Sequence, residues 1–251
     1  MNFNLKDKTA VISGVASGIG RGTSLLFAGL GAKLILLDRD QNGLEKVGEE
    51  VKAKGAVCGR YIVDVTDFEA LQQTFGRISK EIGNIDIAVN CAGIWEKKLF
   101  PEMNHSDLHK MMNVNFEGYF NILKLVLPQM IEQRYGKIVC VSSVAGKVGS
   151  GVGASHYAAS KGAVLAFVRS LAREMGAHNI TVNAVCPGLI ETPMVKSAMG
   201  RGAEDAYVKT SVLKRLGRPE EVAAVIAFLS SDLSSFVTGQ AWNVCGGYLF
   251  D

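Results

Sequence analysis

The feature that most constrains this chain is a rhythm. Short apolar runs alternate with amphipathic stretches from one end to the other. Residues 9–13, 33–38, 57–63, 85–90, 137–142, 180–185 and 241–244 read as short strands, most of them nearly continuous in apolar side chains. Strands of that kind must be covered on both faces. Between them, 19–30, 43–54, 67–82, 106–130, 155–175 and 220–229 read as helices. In 67–82 the apolar stripe is Phe68, Leu71, Phe75, Ile78 and Ile82, a 3.6-residue period. Pro219 stands where a helix begins, as its fixed φ favours. Pro128 falls near the end of 106–130.

Strands alternating with helices and joined by right-handed crossovers give a doubly wound parallel sheet. The expected fold class is therefore α/β: a single-domain, Rossmann-like sheet of about seven strands with helices on both faces. At 251 residues the chain fits one domain, 1–251, with no linker or internal repeat. Only 193–218 breaks the rhythm. Its weak periodicity and its Met194, Met199, Gly200, Gly202 and Gly217 predict a substrate loop or small lid.

Charge and cysteine usage exclude several functions. Lys plus Arg is 27 and Asp plus Glu 24, a net of +3. That is too mild a balance for nucleic acid or an anionic membrane surface. The longest wholly apolar run toward the C-terminus, 222–229, is far short of a span. Residues 1–8 lack the apolar stretch of a signal peptide. The five cysteines show neither CxxC spacing nor clustering with histidine, so neither a disulfide framework nor a metal site is expected. Free buried thiols point to a reducing, cytoplasmic setting.

Ser13-Gly14-Val15-Ala16-Ser17-Gly18-Ile19-Gly20 joins the first strand to the first helix. Glycines there let the backbone approach a pyrophosphate, and the helix N-terminus offers free N–H groups and a favourable dipole. Asp38 closes the second strand 18 residues after Gly20, where a carboxylate accepts hydrogen bonds from an adenosine ribose. A carboxylate there repels a 2′-phosphate, so NAD is expected over NADP. Arg39, next in sequence, leaves this a preference.

Tyr157 and Lys161 lie four apart at the start of a predicted helix, on one face. An ammonium near the phenol lowers its pKa and makes it an acid or base near neutral pH. Ser143 closes the preceding strand and can hold a substrate oxygen.

With these motifs in order, the chain resembles the classical short-chain dehydrogenase/reductase family over essentially its whole length. The cofactor turn matches with Ser13 where the family usually has threonine. Asp64-Val65 resembles the adenine-contacting pair, and Asn90-Cys91-Ala92-Gly93 the Asn-Asn-Ala-Gly element. Asn115 matches the helix asparagine, and Pro187-Gly188-Leu189-Ile190-Glu191-Thr192 the segment beside the nicotinamide. Cys91 replaces an asparagine, and Cys245 an aspartate that commonly precedes the paired glycines.

The resemblance implies a catalytic set of Asn115, Ser143, Tyr157 and Lys161. It implies cofactor contacts from Gly14, Ser17, Gly18, Ile19, Gly20, Asp38, Asp64, Val65, Asn90, Ala92, Gly93, Tyr157, Lys161, Pro187, Gly188, Ile190 and Thr192. Trp95, Ser143, His156 and Tyr157 are the expected substrate contacts, with Tyr207 adding aromatic surface. The implied reaction is NAD-dependent interconversion of a secondary alcohol and a ketone, in which Asn115 holds a relay water. A homotetramer built on the two long helices and the C-terminal tail is also implied. A small sugar or polyol is the expected substrate class. A 3-ketoacyl carrier or thioester is the alternative, and a non-enzymatic dinucleotide sensor a distant one.

Overall fold

The computed structural model describes residues 3–198 and 201–250. Met199 and Gly200 of the expected lid, and the two ends of the chain at residues 1–2 and 251, lie outside the described residues.

Seven parallel strands form one sheet. They are β1 (Thr9–Ser13), β2 (Lys33–Asp38), β3 (Cys58–Ile62), β4 (Ile87–Asn90), β5 (Gly136–Val141), β6 (Ile180–Pro187) and β7 (Ala241–Val244). Their order is β3-β2-β1-β4-β5-β6-β7. β1 therefore pairs with β2 on one side and β4 on the other, Ser13 lying opposite both Leu37 and Asn90. Strand order reverses at this point, and a crevice opens beyond the carboxyl ends of the strands.

Successive strand residues point to opposite faces, and both faces are packed. Val11, Ile35 and Leu37 join one core with residues of α3 (Phe68–Glu81), α5 (Gly118–Gln133) and α7 (Ser155–Met175). Ala10, Ile12, Leu34 and Leu36 join the other with residues of α1 (Gly18–Gly29), α2 (Gln41–Ala53) and α10 (Pro219–Leu229). Double burial explains why these strands read as continuous apolar runs. Local signals set the helix ends. The side chains of Asp40 and Asp67 accept the N–H of Gly43 and Ala70 at the starts of α2 and α3.

One expected helix is not continuous. The stretch 106–130 divides into α4 (His105–Met112), a π-helical turn (Asn113–Glu117) and α5. A buried Asn115 amide takes tertiary partners there, and a π-turn is a frequent way to reposition one residue within a helix. Pro128 sits inside α5. The irregular region 193–218 contains α8 (Pro193–Ala198) and α9 (Arg201–Thr210). A short α6 (Ala145–Val148) follows β5. Among the described residues no helix is long and apolar enough to cross a membrane.

Candidate active site

The glycine-rich turn lies over the crevice, and its glycines are required by space. Gly14 has φ +72°, and a Cβ there would stand 2.6 Å from the Ala92 backbone. A Cβ on Gly20 would stand 2.0 Å from the Gly14 carbonyl oxygen. Ser17 caps α1 through extended backbone without a side-chain hydrogen bond, leaving the first N–H groups of α1 open to an anion. Asp38 reaches back to the same turn: its Oδ2 accepts the Ala16 N–H at 2.8 Å and its Oδ1 the Asp40 N–H at 3.0 Å.

These groups line a cleft of about 300 Å³. Of the residues expected to contact cofactor, Gly14, Ser17, Gly18, Ile19, Gly20, Asp38, Asp64, Val65, Ala92, Gly93 and Thr192 line it. Sequence reasoning did not assign Ala16, Val63, Ile94, Val114 or Met194 to that wall, which they also form. Asn90 is buried below the floor, its amide facing the Cys140 sulfur at 3.9 Å. Pro187, Gly188 and Ile190, also expected to contact cofactor, do not line it. Arg39 is exposed and faces Asp64 at 3.4 Å. A cradle too tight for any Cβ, an open helix N-terminus and a strand-end carboxylate together fit a dinucleotide. A wider groove of about 530 Å³ at the β3 edge shares no lining residue with this cleft and contains the Arg60–Glu49 ion pair.

Ser143, Tyr157, Lys161 and Asn115 converge beside the cleft. Ser143 follows β5; its Oγ accepts the Ala145 N–H at 3.1 Å and hydrogen-bonds the Tyr157 phenol. Ser142 turns away, donating to the Lys161 carbonyl at 2.8 Å, so Ser143 is the serine that faces the tyrosine. Lys161 is buried; its Nζ donates to the Val141 carbonyl at 2.9 Å and to Tyr119 Oη at 3.4 Å. It lies 6.0 Å from the Tyr157 ring centroid. Tyr119, itself fully buried and bonded to the same carbonyl, is a member of this network that the sequence did not mark.

Asn115 owes its place to the π-turn. Its Oδ1 accepts the Ile94 N–H at 2.8 Å, and its Nδ2 contacts the Ile94 carbonyl, Ser160 Oγ and Met111 Sδ. The amide thus pins the backbone of Ile94 and leaves one Oδ1 lone pair for a water. Ser160, unassigned from sequence although it stands beside Lys161, links this amide to the Tyr157 carbonyl at 2.7 Å. Gly93 keeps the centre open, since a Cβ there would stand 3.2 Å from Asn115 Oδ1 and 3.5 Å from Lys161 Nζ.

The electrostatics correct one expectation. The Tyr157 phenol is raised, because burial outweighs the Ser143 hydrogen bond that lowers it. Burial also depresses Lys161, to about 8. Desolvation disfavours both charged forms here, so in this closed pocket the lysine does not by itself make the phenol acidic. Cys91 and Cys140 thiols are pushed up to about 12 by burial.

Trp95 is half-buried on the 94–98 segment, which two ion pairs fasten to α4: Glu96 with Lys110, and Lys98 with Asp107 at 2.7 Å. Lys98 also donates its N–H to the Gly153 carbonyl at 2.7 Å. His156 is buried beside Tyr157. Tyr207 is not the aromatic surface expected: its hydroxyl donates to the Cys245 carbonyl at 2.7 Å, and the ring stacks on Tyr248. Gly188 makes room for it, since a Cβ there would stand 1.8 Å from Tyr207 Oη. Among the described residues no group of three or more His, Cys, Asp or Glu could hold a metal.

A glycine cradle at a sheet switch point beside a Ser–Tyr–Lys cluster defines a dinucleotide-dependent oxidoreductase class, and comparison with known proteins agrees. The profile of the enoyl-(acyl carrier protein) reductase family matches residues 14–249. The 3-oxoacyl-[acyl-carrier-protein] reductase FabG of Thermotoga maritima is 42% identical over 245 residues, covering 98% of this chain and 99% of that protein. The crystal structure of 3-oxoacyl-[acyl-carrier protein] reductase from Brucella melitensis superposes with TM-score 0.93 at 37% identity, covering 99% of this chain and 94% of that one. A 7α-hydroxysteroid dehydrogenase complexed with NADH and 7-oxo glycochenodeoxycholic acid gives TM-score 0.94 at 31% identity, covering 98% and 96%. The chain belongs to the classical short-chain dehydrogenases/reductases, oxidoreductases that use a nicotinamide dinucleotide.

Proposed function

We propose that this protein reduces the keto group of 3-oxoacyl thioesters, with NADH as the favoured cofactor. The observation that carries the substrate class is the 42% identity, over nearly the full length of both chains, to a protein named for that reaction. The second reductase of that name, at 37% identity, supports it. The polypeptide between Ser143 and Tyr157 presents Val148 and Val152 to solvent, and Met194 lines the cleft. These apolar groups suit an acyl chain better than the sugar or polyol expected from the sequence.

The preference for NADH rests on Asp38. A carboxylate bonded to the turn offers acceptors to ribose hydroxyls and repels a 2′-phosphate. When bound, the nicotinamide supplies the hydride for the keto carbon. Tyr157 delivers its phenolic proton to the keto oxygen, and Ser143 donates a hydrogen bond to the same oxygen as negative charge develops. Lys161 then stands as an ammonium on the side of the phenolate, 6.0 Å from the Tyr157 ring centroid, and favours its negative charge. Asn115 keeps Ile94, part of the cleft wall, at fixed distance from this centre.

The five cysteines are free thiols, which supports a reducing, cytoplasmic setting. A homotetramer through α5 and α7 is supported by the half-exposed Phe120, whose ring meets Phe167 at 6.2 Å. Sedimentation giving a tetramer is expected, and a monomer at micromolar concentration would remove it.

The substrate class is tested by following NADH consumption with acetoacetyl thioesters of coenzyme A and of acyl carrier protein, beside NADH formation with a polyol and sugar panel. Thioester kcat/KM well above every polyol is expected. Turnover confined to polyols would restore the sugar reading.

A further inference from the structure

Lys161 is a cation in a pocket without an anion. The titratable groups that face its ammonium are the phenols of Tyr157 and Tyr119 and the thiols of Cys91, Cys140 and Cys186. None of these is a carboxylate. Burial disfavours the charged form and drives Lys161 down to about 8. Neutral acceptors must therefore hold the charge. Among the described residues there are two: the Val141 carbonyl at 2.9 Å and the Tyr119 hydroxyl at 3.4 Å.

Tyr119 is the second residue of α5, just after the π-turn, and is fully buried. Its hydroxyl donates its one hydrogen to the Val141 carbonyl at 3.0 Å. Its oxygen is thereby left free to accept from Lys161 Nζ. The ring centroid lies 5.3 Å from Nζ, within the range of a cation–π contact. Burial raises this phenol well above the ordinary tyrosine value, so it stays a neutral hydroxyl while Lys161 titrates. Val141 is the last residue of β5, two before Ser143. One carbonyl thus ties together the strand end, α5 and the lysine. An ammonium has three hydrogens, and these contacts use two. Gly93, on the cleft wall, leaves room beside the ammonium, since a Cβ there would stand 3.5 Å from Nζ.

Resting on the reading of Tyr157 and Lys161 as the catalytic pair, we propose that Tyr119 is a positioning residue, whose hydroxyl holds the Lys161 ammonium at the Val141 carbonyl and keeps it charged beside Tyr157. It acts through Lys161 alone. Without the hydroxyl the ammonium has one acceptor left in a pocket that already disfavours its charge, and it gives up its proton at lower pH.

Tyr119→Phe tests this, because it removes the hydroxyl alone. The ring stays, and Lys161 still satisfies the Val141 carbonyl. Two pH profiles are followed in parent and variant: kcat/KM for acetoacetyl-coenzyme A with NADH, and the nitrogen-15 signal of Lys161 Nζ in lysine-labelled protein. Lys161→Met identifies that signal by its loss, and thermal melts report folding. In Tyr119→Phe the alkaline limb and the Nζ titration should both move down by about one pH unit. The loss of rate should grow with pH, reaching about fivefold or more near pH 8.5, while the variant melts close to the parent. An unmoved limb and Nζ titration, or a variant that melts well below the parent, would overturn the assignment. A parent whose alkaline limb does not follow its own Nζ titration would instead remove the catalytic-pair reading. A parent that turns over no thioester would remove the substrate reading, and the Nζ titration would still decide the role of Tyr119.

Discussion

The Asp38 carboxylate accepts a 2.8 Å hydrogen bond from the Ala16 N–H, fastening the last residue of β2 to the glycine-rich turn after β1. The acceptor proposed to select the ribose is thus also a strut of the glycine-rich turn. Replacing it affects both. Asp38→Ser should weaken NADH binding at least tenfold, the worth of about 1.4 kcal/mol, and narrow the gap to NADPH. Calorimetric titration with each cofactor measures this; unchanged NADH affinity would remove Asp38 as selector.

Gly20 admits no side chain, because a Cβ would lie 2.0 Å from the Gly14 carbonyl oxygen. Gly20→Ala must displace the turn. Dinucleotide binding should fall beyond detection in a fluorescence titration, and the melting temperature should drop by several degrees. A variant that binds as the parent does would show that the turn does not hold the cofactor.

Lys161 is depressed from 10.5 to about 8 by burial. Between those values the unfolded chain retains a proton that the folded chain has released. Native stability therefore rises with pH across that window, and below about pH 8 the burial penalty is present in full. The shift corresponds to about 3 kcal/mol. Lys161→Met removes that penalty and loses two hydrogen bonds of about 1 kcal/mol each, while Tyr119 still satisfies the Val141 carbonyl. Urea denaturation at pH 7 should find it at least as stable as the parent yet inactive. Marked destabilisation at pH 7 would contradict the buried-ammonium account.

Asn115→Ala strips both hydrogen bonds from the Ile94 backbone and one from Ser160. Leaving such groups unpaired should cost about 2–4 kcal/mol, visible as a lower urea midpoint, with activity reduced well beyond the loss of folded protein. Retention of both would mean the π-turn serves no positioning role.

Much of this was legible in the sequence because strand burial and turn chemistry are local. Apolar runs gave seven strands, α7 begins at Ser155 as its period implied, and the glycines mark a turn that only glycine can make. Tertiary demands hid the rest. The π-turn exists because Asn115 reaches Ile94, twenty-one residues away. Tyr207 is buried because Gly188 leaves a hole, which no pattern around Tyr207 announces. Tyr119 reads as one more helix aromatic until Lys161 is seen beside it. The Tyr157–Lys161 spacing signals charge proximity but carries no information about desolvation, and desolvation decides both pKa shifts.

The most direct test of the central claim is a comparison of Tyr157→Phe with the parent, following NADH oxidation with acetoacetyl-coenzyme A across pH. The parent should reduce the thioester with kcat/KM falling above about pH 8, as the buried Lys161 loses its proton. Tyr157→Phe should bind NADH as tightly by calorimetry and show a rate at least a thousandfold lower, about 4 kcal/mol in the barrier. A phenylalanine variant that keeps parental turnover would contradict the account.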